Sequence, residues 1–254
     1  MLHVASLHIY PVKACGGVEL DRMTLDSRGP VGDRRFMIVD ESGRFVTQRE
    51  EPSLAMVSAR LTSEGLTLET PGADGILVAS DDGRRQVSVW RSKLEAMDTG
   101  DEAASWLSDH LGRPVRLVRM ADDVTRPIDA PFGGGATSIA FADGFPLLVT
   151  HQASLEELNT RLDTPVTMSR FRPNLVVAGG EPWEEDGWSR LTIGDLQLQL
   201  VKPCERCKVV NVDPTTGTTG REPLRTLATY RCVTEGAVVV GQNAVHEGPG
   251  TLER

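Results

Sequence analysis

Leu196-Gln197-Leu198-Gln199-Leu200-Val201-Lys202-Pro203-Cys204-Glu205-Arg206-Cys207-Lys208 carries a fold signal and a chemical signal in one stretch. Leucine alternates with glutamine over 196–200, the pattern of a strand with one buried and one wetter face. The residues after the cysteines, Lys208-Val-Val-Asn-Val212, read as a continuation of that strand. Working outward, Asn174–Ala178 is a short apolar run. Before residue 100, Arg35–Asp40, Phe45–Gln48, Leu54–Leu61, Gly65–Glu69, Gly75–Ala79, Gln86–Trp90 and Leu94–Asp98 follow one another across Gly, Asp and Ser turns. Many short strands at close spacing predict a barrel or a sandwich. Helical patterning is confined to a few places. Glu102–Leu111 has an apolar stripe, with Asp101 as the expected N-cap and Gly112 then Pro114 as its stop. Leu155–Leu162 follows Ser154, which with Glu157 fits a capping box. Pro223–Thr229 reads as a short helix opened by proline. The expected class is mainly β with a few short helices.

The chain has 254 residues, enough for one large domain or two small ones. Residues 121–136, rich in Gly and Pro, are the best linker candidate. Lys and Arg number 27 and Asp and Glu 36, a net charge of −9. Such acidity argues against a general nucleic-acid or anionic-membrane binder, while leaving room for a local basic pocket. No apolar run nears the ~18 residues that span a bilayer. The first ten residues lack a secretory pattern, so a cytoplasmic location is expected. In that compartment Cys15, Cys204, Cys207 and Cys232 are thiols rather than a disulfide frame.

Four readings of Cys204-Glu-Arg-Cys207 stand side by side. Structural zinc needs four ligands, and no second Cys-x-x-Cys or His-x-x-x-His accompanies the pair. A redox pair of the thioredoxin kind sits at a helix N-terminus, whereas strand is expected here. The cysteines are otherwise ordinary small hydrophobes. In the fourth reading one thiolate, favoured by Lys202, Arg206 and Lys208, is a nucleophile or a soft-metal ligand. Strand alternation predicts that Cys207 and its neighbours cannot all face one pocket. A second signal is basic residues beside strand ends: Lys13, Arg34, Arg35, Arg49 and Arg172. Arg holds phosphate with a planar fork and Lys as a point charge, although each alone also fits a surface charge or an ion pair. Asn174 suits a ligand edge or a turn. The five histidines lack metal spacing, and Gly133-Gly-Gly135 is not followed by the Lys-Ser/Thr of a nucleotide loop.

Taken together, Ile9-Tyr-Pro-Val-Lys-Ala-Cys-Gly-Gly-Val18, Gly32-Asp-Arg-Arg-Phe36 and Val46-Thr-Gln-Arg-Glu-Glu-Pro52 resemble the MOSC N-terminal β-barrel domain. Phe171-Arg-Pro-Asn-Leu175, Cys204-Glu-Arg-Cys207, Val212-Asp-Pro-Thr-Thr-Gly217 and Glu222-Pro-Leu-Arg-Thr-Leu227 resemble the MOSC domain. The resemblance implies two β-barrel domains, 1–120 and 121–254, with the site between them. It is nearest to the amidoxime reducing components and the bacterial hydroxylaminopurine reductases. It therefore implies a molybdenum-dependent oxidoreductase of N-hydroxylated substrates that uses a molybdenum pyranopterin cofactor (Mo-molybdopterin) and no pyridoxal phosphate. Cys207 is implied as the metal ligand and Cys204 as its neighbour. Lys13, Ala14, Arg35, Arg49, Arg172, Asn174, Glu205 and Arg206 are implied around the cofactor. Ala14 departs from a position where relatives often carry Ser, and Asn211 from one where they often carry Thr. Asp213 is a candidate general acid. No iron–sulfur spacing is present, so electrons are expected from a separate iron–sulfur or flavin protein. The alternative is a molybdenum cofactor or sulfur carrier without turnover of its own.

Overall fold

A computed structural model describes residues 1–78, 83–128, 138–233 and 236–254. Phe36–Val39 is buried at every position, because it lies in a four-stranded sheet that packs on both faces. Leu196–Glu205 begins as the alternation predicts, with Leu196, Leu198 and Leu200 buried. It pairs with Arg190–Ile193 on one side and Val239–His246 on the other, inside a seven-stranded sheet. The order continues through Leu147–His151, Leu175–Ala178, His3–Ile9 and Val18–Leu20. Strands make up 41% of the chain and helices 16%, so the mainly β class holds.

The first strand belongs to the sheet of the second half: Leu7 pairs with Leu175 and Val4 with Val177. At the other end, Gly250–Glu253 pairs with Arg22–Asp26. The halves of the chain are thus stitched through shared sheets. One apolar core lies under 196–200, 147–149, 175–177 and Leu7. Others fill the N-terminal sheets around Ile38, Leu54, Leu68 and Leu107 and around Met37, Val118 and Phe141.

Several local expectations are corrected. Lys208–Asn211 is a single 3-10 turn, with Cys207 at its N-cap, and not a strand. Phe45–Gln48 makes one bridge to Val39 and then turns, with Thr47 O accepting from Glu50 and Glu51 N. Leu54–Leu61 divides into a 3-10 turn, Pro52–Met56, and a strand, Ser58–Leu61. Gly75–Ala79 is observed as Ala73–Val78, and Ala79 lies outside the described residues. The first helix spans Asp101–Leu111 with Gly100 as its N-cap (φ 91°), so Asp101 occupies the first turn. The second spans Gln152–Asn159 and is capped by His151 Nδ1, which accepts from Ala153 N at 3.1 Å. Ser154 instead donates to the buried Glu185 carboxylate at 2.8 Å, so there is no capping box. The linker candidate is packed where it is described: Ile128 and Arg126 are buried, and Arg126 donates to Ala140 O (3.0 Å), Ala142 O and Asp143 O (3.1 Å). Residues 129–136, with Gly133-Gly-Gly135, lie outside the described residues.

Asp98 ties the four-stranded sheet together. It accepts from Arg116 at 2.6 and 2.8 Å, from Arg85 at 2.8 Å and from Gly100 N at 3.0 Å. Burial pushes its carboxyl up, but these donors outweigh it and hold it at about 2. A carboxylate lowered by folding stabilises above its unfolded value near 3.8 and loses that contribution as pH falls toward 2. Asp98→Asn is therefore expected to lower stability by ~2 kcal/mol at neutral pH. In denaturant titrations the gap from the parent protein should close between pH 4 and 2; a gap constant with pH would contradict this account.

Candidate active-site cleft

The strand that carries Cys204 is irregular where it matters. Its register against 239–246 shifts between Leu200 and Lys202 and again between Pro203 and Glu205. Bulges re-aim side chains and end pairing. The strand stops at Glu205, and the chain turns at Cys207 into the 3-10 turn. Cys204, Glu205, Arg206 and Cys207 consequently all line one cleft, against the expectation from strict alternation. The opposite wall is the loop after Ile9, the turn at 45–49, Trp90 and the segment 142–145. The cleft encloses about 930 Å³ with its open mouth included.

Tyr10 organises one end. Two guanidiniums lie over its ring, with Arg172 Cζ at 4.2 Å and Arg34 Cζ at 4.4 Å from the centroid. A Cβ on Gly17 would stand 2.4 Å from this ring, so glycine makes the space for the stack. Arg34 pairs with the buried Asp33 (2.7 Å) and donates to Arg172 O (3.1 Å). Arg172 adopts a left-handed backbone (φ 57°) and donates to Cys15 O. It has no carboxylate partner among the described residues. Burial and the like charge of Arg34 pull its guanidinium down to about 10. Such a site gains from an anion, which offsets both costs.

Lys13, which lines the same cleft, is buried and donates to Phe141 O at 2.8 Å and to the Asp143 carboxylate. Desolvation lowers the Lys13 ammonium, opposed by Asp143. Burial pushes Asp143 up, but Lys13 and the Trp90 indole outweigh it and hold the carboxyl well below its ordinary value. Cys207 is exposed at the strand end, and Arg49 Nη1 donates toward its Sγ at 3.8 Å. Arg206 donates to Cys204 Sγ at 3.0 Å and to Phe171 O at 2.7 Å, while its buried Nε has no partner. Cys15 is fully buried with its thiol pushed up to about 12, so it acts as a small hydrophobe.

Lys13, Ala14, Arg49, Arg172, Asn174, Glu205, Arg206 and Cys207 all line this cleft. Two expected site residues do not. Arg35 turns to Asp26, its Nη2 lying 2.7 and 2.9 Å from the two carboxylate oxygens; Arg34 faces the cleft in its place. Asp213 caps the following turn, accepting from Thr215 N and Thr216 N and pairing with Arg170 at 2.9 Å, in a separate groove. Its hydrogen bonds from Thr215 lower its pKa, the wrong direction for a general acid. Glu205 turns its carboxylate to Lys202 at 3.6 Å. Asn174 spends its amide on the fold, accepting from Leu148 N and Arg34 and donating to His8 O. Sequence reasoning missed Gln48, Trp90 and Asp143, which also line the cleft. Gln48 lay within the quoted Val46–Pro52 motif, but nothing local marked Trp90 or Asp143. Among the described residues no cluster of three or more His, Cys, Asp and Glu is placed to hold a metal ion by itself, and no helix is long and apolar enough to cross a membrane.

The buried, unpartnered Arg206 Nε, the uncompensated Arg172 and the exposed Cys207 thiol fit an anionic cofactor with a thiol-seeking metal. Comparison with known proteins agrees. The chain matches the MOSC N-terminal beta barrel domain over residues 1–114 and the MOSC domain over 136–253. It is 34% identical to human mitochondrial amidoxime-reducing component 1, over 98% of this chain and 80% of that protein. To human mitochondrial amidoxime reducing component 2 the identity is 35%, over 90% of this chain and 72% of that protein. A zebrafish (Danio rerio) molybdenum cofactor sulfurase is 33% identical over 96% of this chain, which spans 32% of that longer protein. With its two domains matched in order and its relatives aligned along nearly its whole length, this chain belongs to the MOSC domain family, in the group that contains the amidoxime-reducing components.

Proposed function

We propose that the chain binds a molybdenum pyranopterin cofactor and reduces the N–O bond of N-hydroxylated compounds with electrons from a separate protein. The observation that carries this reading is one cleft lined by an accessible thiol, Cys207, and by Arg172, a guanidinium without a carboxylate partner that lies over the Tyr10 ring. Bound there, the cofactor supplies a two-electron redox centre. Cys207 would hold its metal. Arg172, Arg34 and Lys13 would hold its phosphate, and Arg206 Nε is a free donor beside them. The net conversion takes two electrons and two protons, turns the N–OH group into N–H and releases water. Asp143 is held ionised by Lys13, so it is not a ready acid; protons come from solvent through the open mouth. The donor protein is of the iron–sulfur or flavin class, and the four free cysteines support a cytoplasmic location.

A carrier without turnover is the second reading, favoured by the likeness to the sulfurase and by the exposed thiol. One experiment separates them. The protein is made in a host that synthesises the cofactor, its molybdenum is quantified, and reduced viologen is offered with benzamidoxime. Near-stoichiometric metal with amidine formation is expected. Metal without turnover supports the carrier, and absence of metal where a relative loads under the same conditions overturns both.

A further inference from the structure

Trp90 occupies a costly position. Val89 pairs with Ser92, so Trp90 and Arg91 form a two-residue hairpin turn, and Trp90 has φ 53°. Such turns favour Asn, Asp or Gly, because larger side chains resist positive φ. The indole is nevertheless 48% exposed, at the rim of the cleft. Its orientation is fixed: Nε1 donates to Asp143 at 2.9 Å, Asp143 is held by Lys13, and Phe45 packs at 5.0 Å. Arg49 lies with Cζ 5.0 Å from the Trp90 centroid, while its Nη1 reaches toward Cys207 Sγ. Arg49 has no ion-pair partner among the described residues. A guanidinium lying over the indole thus stands beside the thiol.

We infer that Trp90 and Arg49 form a stacking wall that selects substrates whose N-hydroxylated group is conjugated to a planar ring. This inference rests on the reductase reading and names its substrate class. A lid for Phe45 would need burial rather than half exposure, and any bulky side chain would serve. A wall for planar ligands needs a partly exposed aromatic ring held in a fixed orientation at the rim of the cleft, as found here.

The test measures calorimetric binding of benzamidine and acetamidine, together with KM for the matching amidoximes. It uses the molybdenum-loaded parent protein, Trp90→Phe and Trp90→Leu. The preference for the aromatic member of each pair should fall about tenfold in Trp90→Leu and stay within about threefold of the parent in Trp90→Phe. Leucine keeps apolar bulk over Phe45 but has no π face, and metal content with melting temperature monitors loading and folding. An unchanged preference in Trp90→Leu overturns the wall, as does equal loss for both ligands or a parent protein that binds neither amidine. If benzamidine binding depends on Trp90 but neither amidoxime is reduced, the wall stands and the reductase reading falls.

Discussion

Cys207→Ala should lose both bound molybdenum and N–O reduction, whereas Cys204→Ala should keep a substantial part of both. The two thiols are three residues apart and line the same cleft, yet their surroundings differ. Cys207 is exposed at the end of the strand, facing the open space beside Arg49, and its side chain makes no capping hydrogen bond. Cys204 is partly buried and accepts from Arg206 Nη1 at 3.0 Å. Removing Cys204 leaves Arg206 anchored by Phe171 O and the Phe171 ring, so the wall persists. The expected loss for Cys204→Ala stays below the roughly 10–100-fold typical of an outer-shell partner, with metal retained. Cys207→Ala should exceed that range and purify without metal. Metal analysis beside turnover reads the difference, and equal loss in both variants would contradict the ligand assignment.

How far the site was legible follows from what each residue depends on. The Leu196–Leu200 strand was visible because burial there obeys a period of two. The same rule misled at Cys204–Cys207, since two register shifts and a strand end reset the direction of each side chain. Arg34 and Arg35 could not be told apart in sequence. Arg34 has φ 46°, which breaks the alternation counted back from Phe36, and the carboxylate that claims Arg35 comes from another strand. The Gly112 stop of the first helix held, whereas the Ser154 cap failed for a related reason. Ser154 had the right spacing for a box, but the buried Glu185, 31 residues later, competes for its hydroxyl. Trp90 and Asp143 meet across 53 residues, so only the fold brings them together. The mainly β class survived all of this, because it rests on many short segments and not on any one of them.

Asn174 shows how a residue can belong to a site and still be there chiefly for the fold, and the prediction for it is thermodynamic. It is 1% exposed, between Leu147–His151 and His3–Ile9 in the seven-stranded sheet. Its backbone pairs with Leu148 O and His8 N, at 2.8 and 2.9 Å. Its side-chain oxygen accepts from Leu148 N and Arg34 Nη1, both at 3.2 Å, and its amide donates to His8 O at 3.1 Å. Asn174→Ala keeps the backbone pairs but strips the side-chain partners from the Leu148 N–H and the His8 carbonyl. Leaving two polar groups unpaired costs ~1–3 kcal/mol each, so a loss of ~2–6 kcal/mol is expected. For a chain of this size that lowers the melting temperature by roughly 5–15 °C. The measurement belongs on metal-free protein, where a residue that only touched the cofactor would leave the melting temperature unmoved. A full drop there makes Asn174 the rivet that sets Arg34 against Tyr10, with any effect on metal binding following from the displaced strands; no drop would return it to the role of a simple ligand contact.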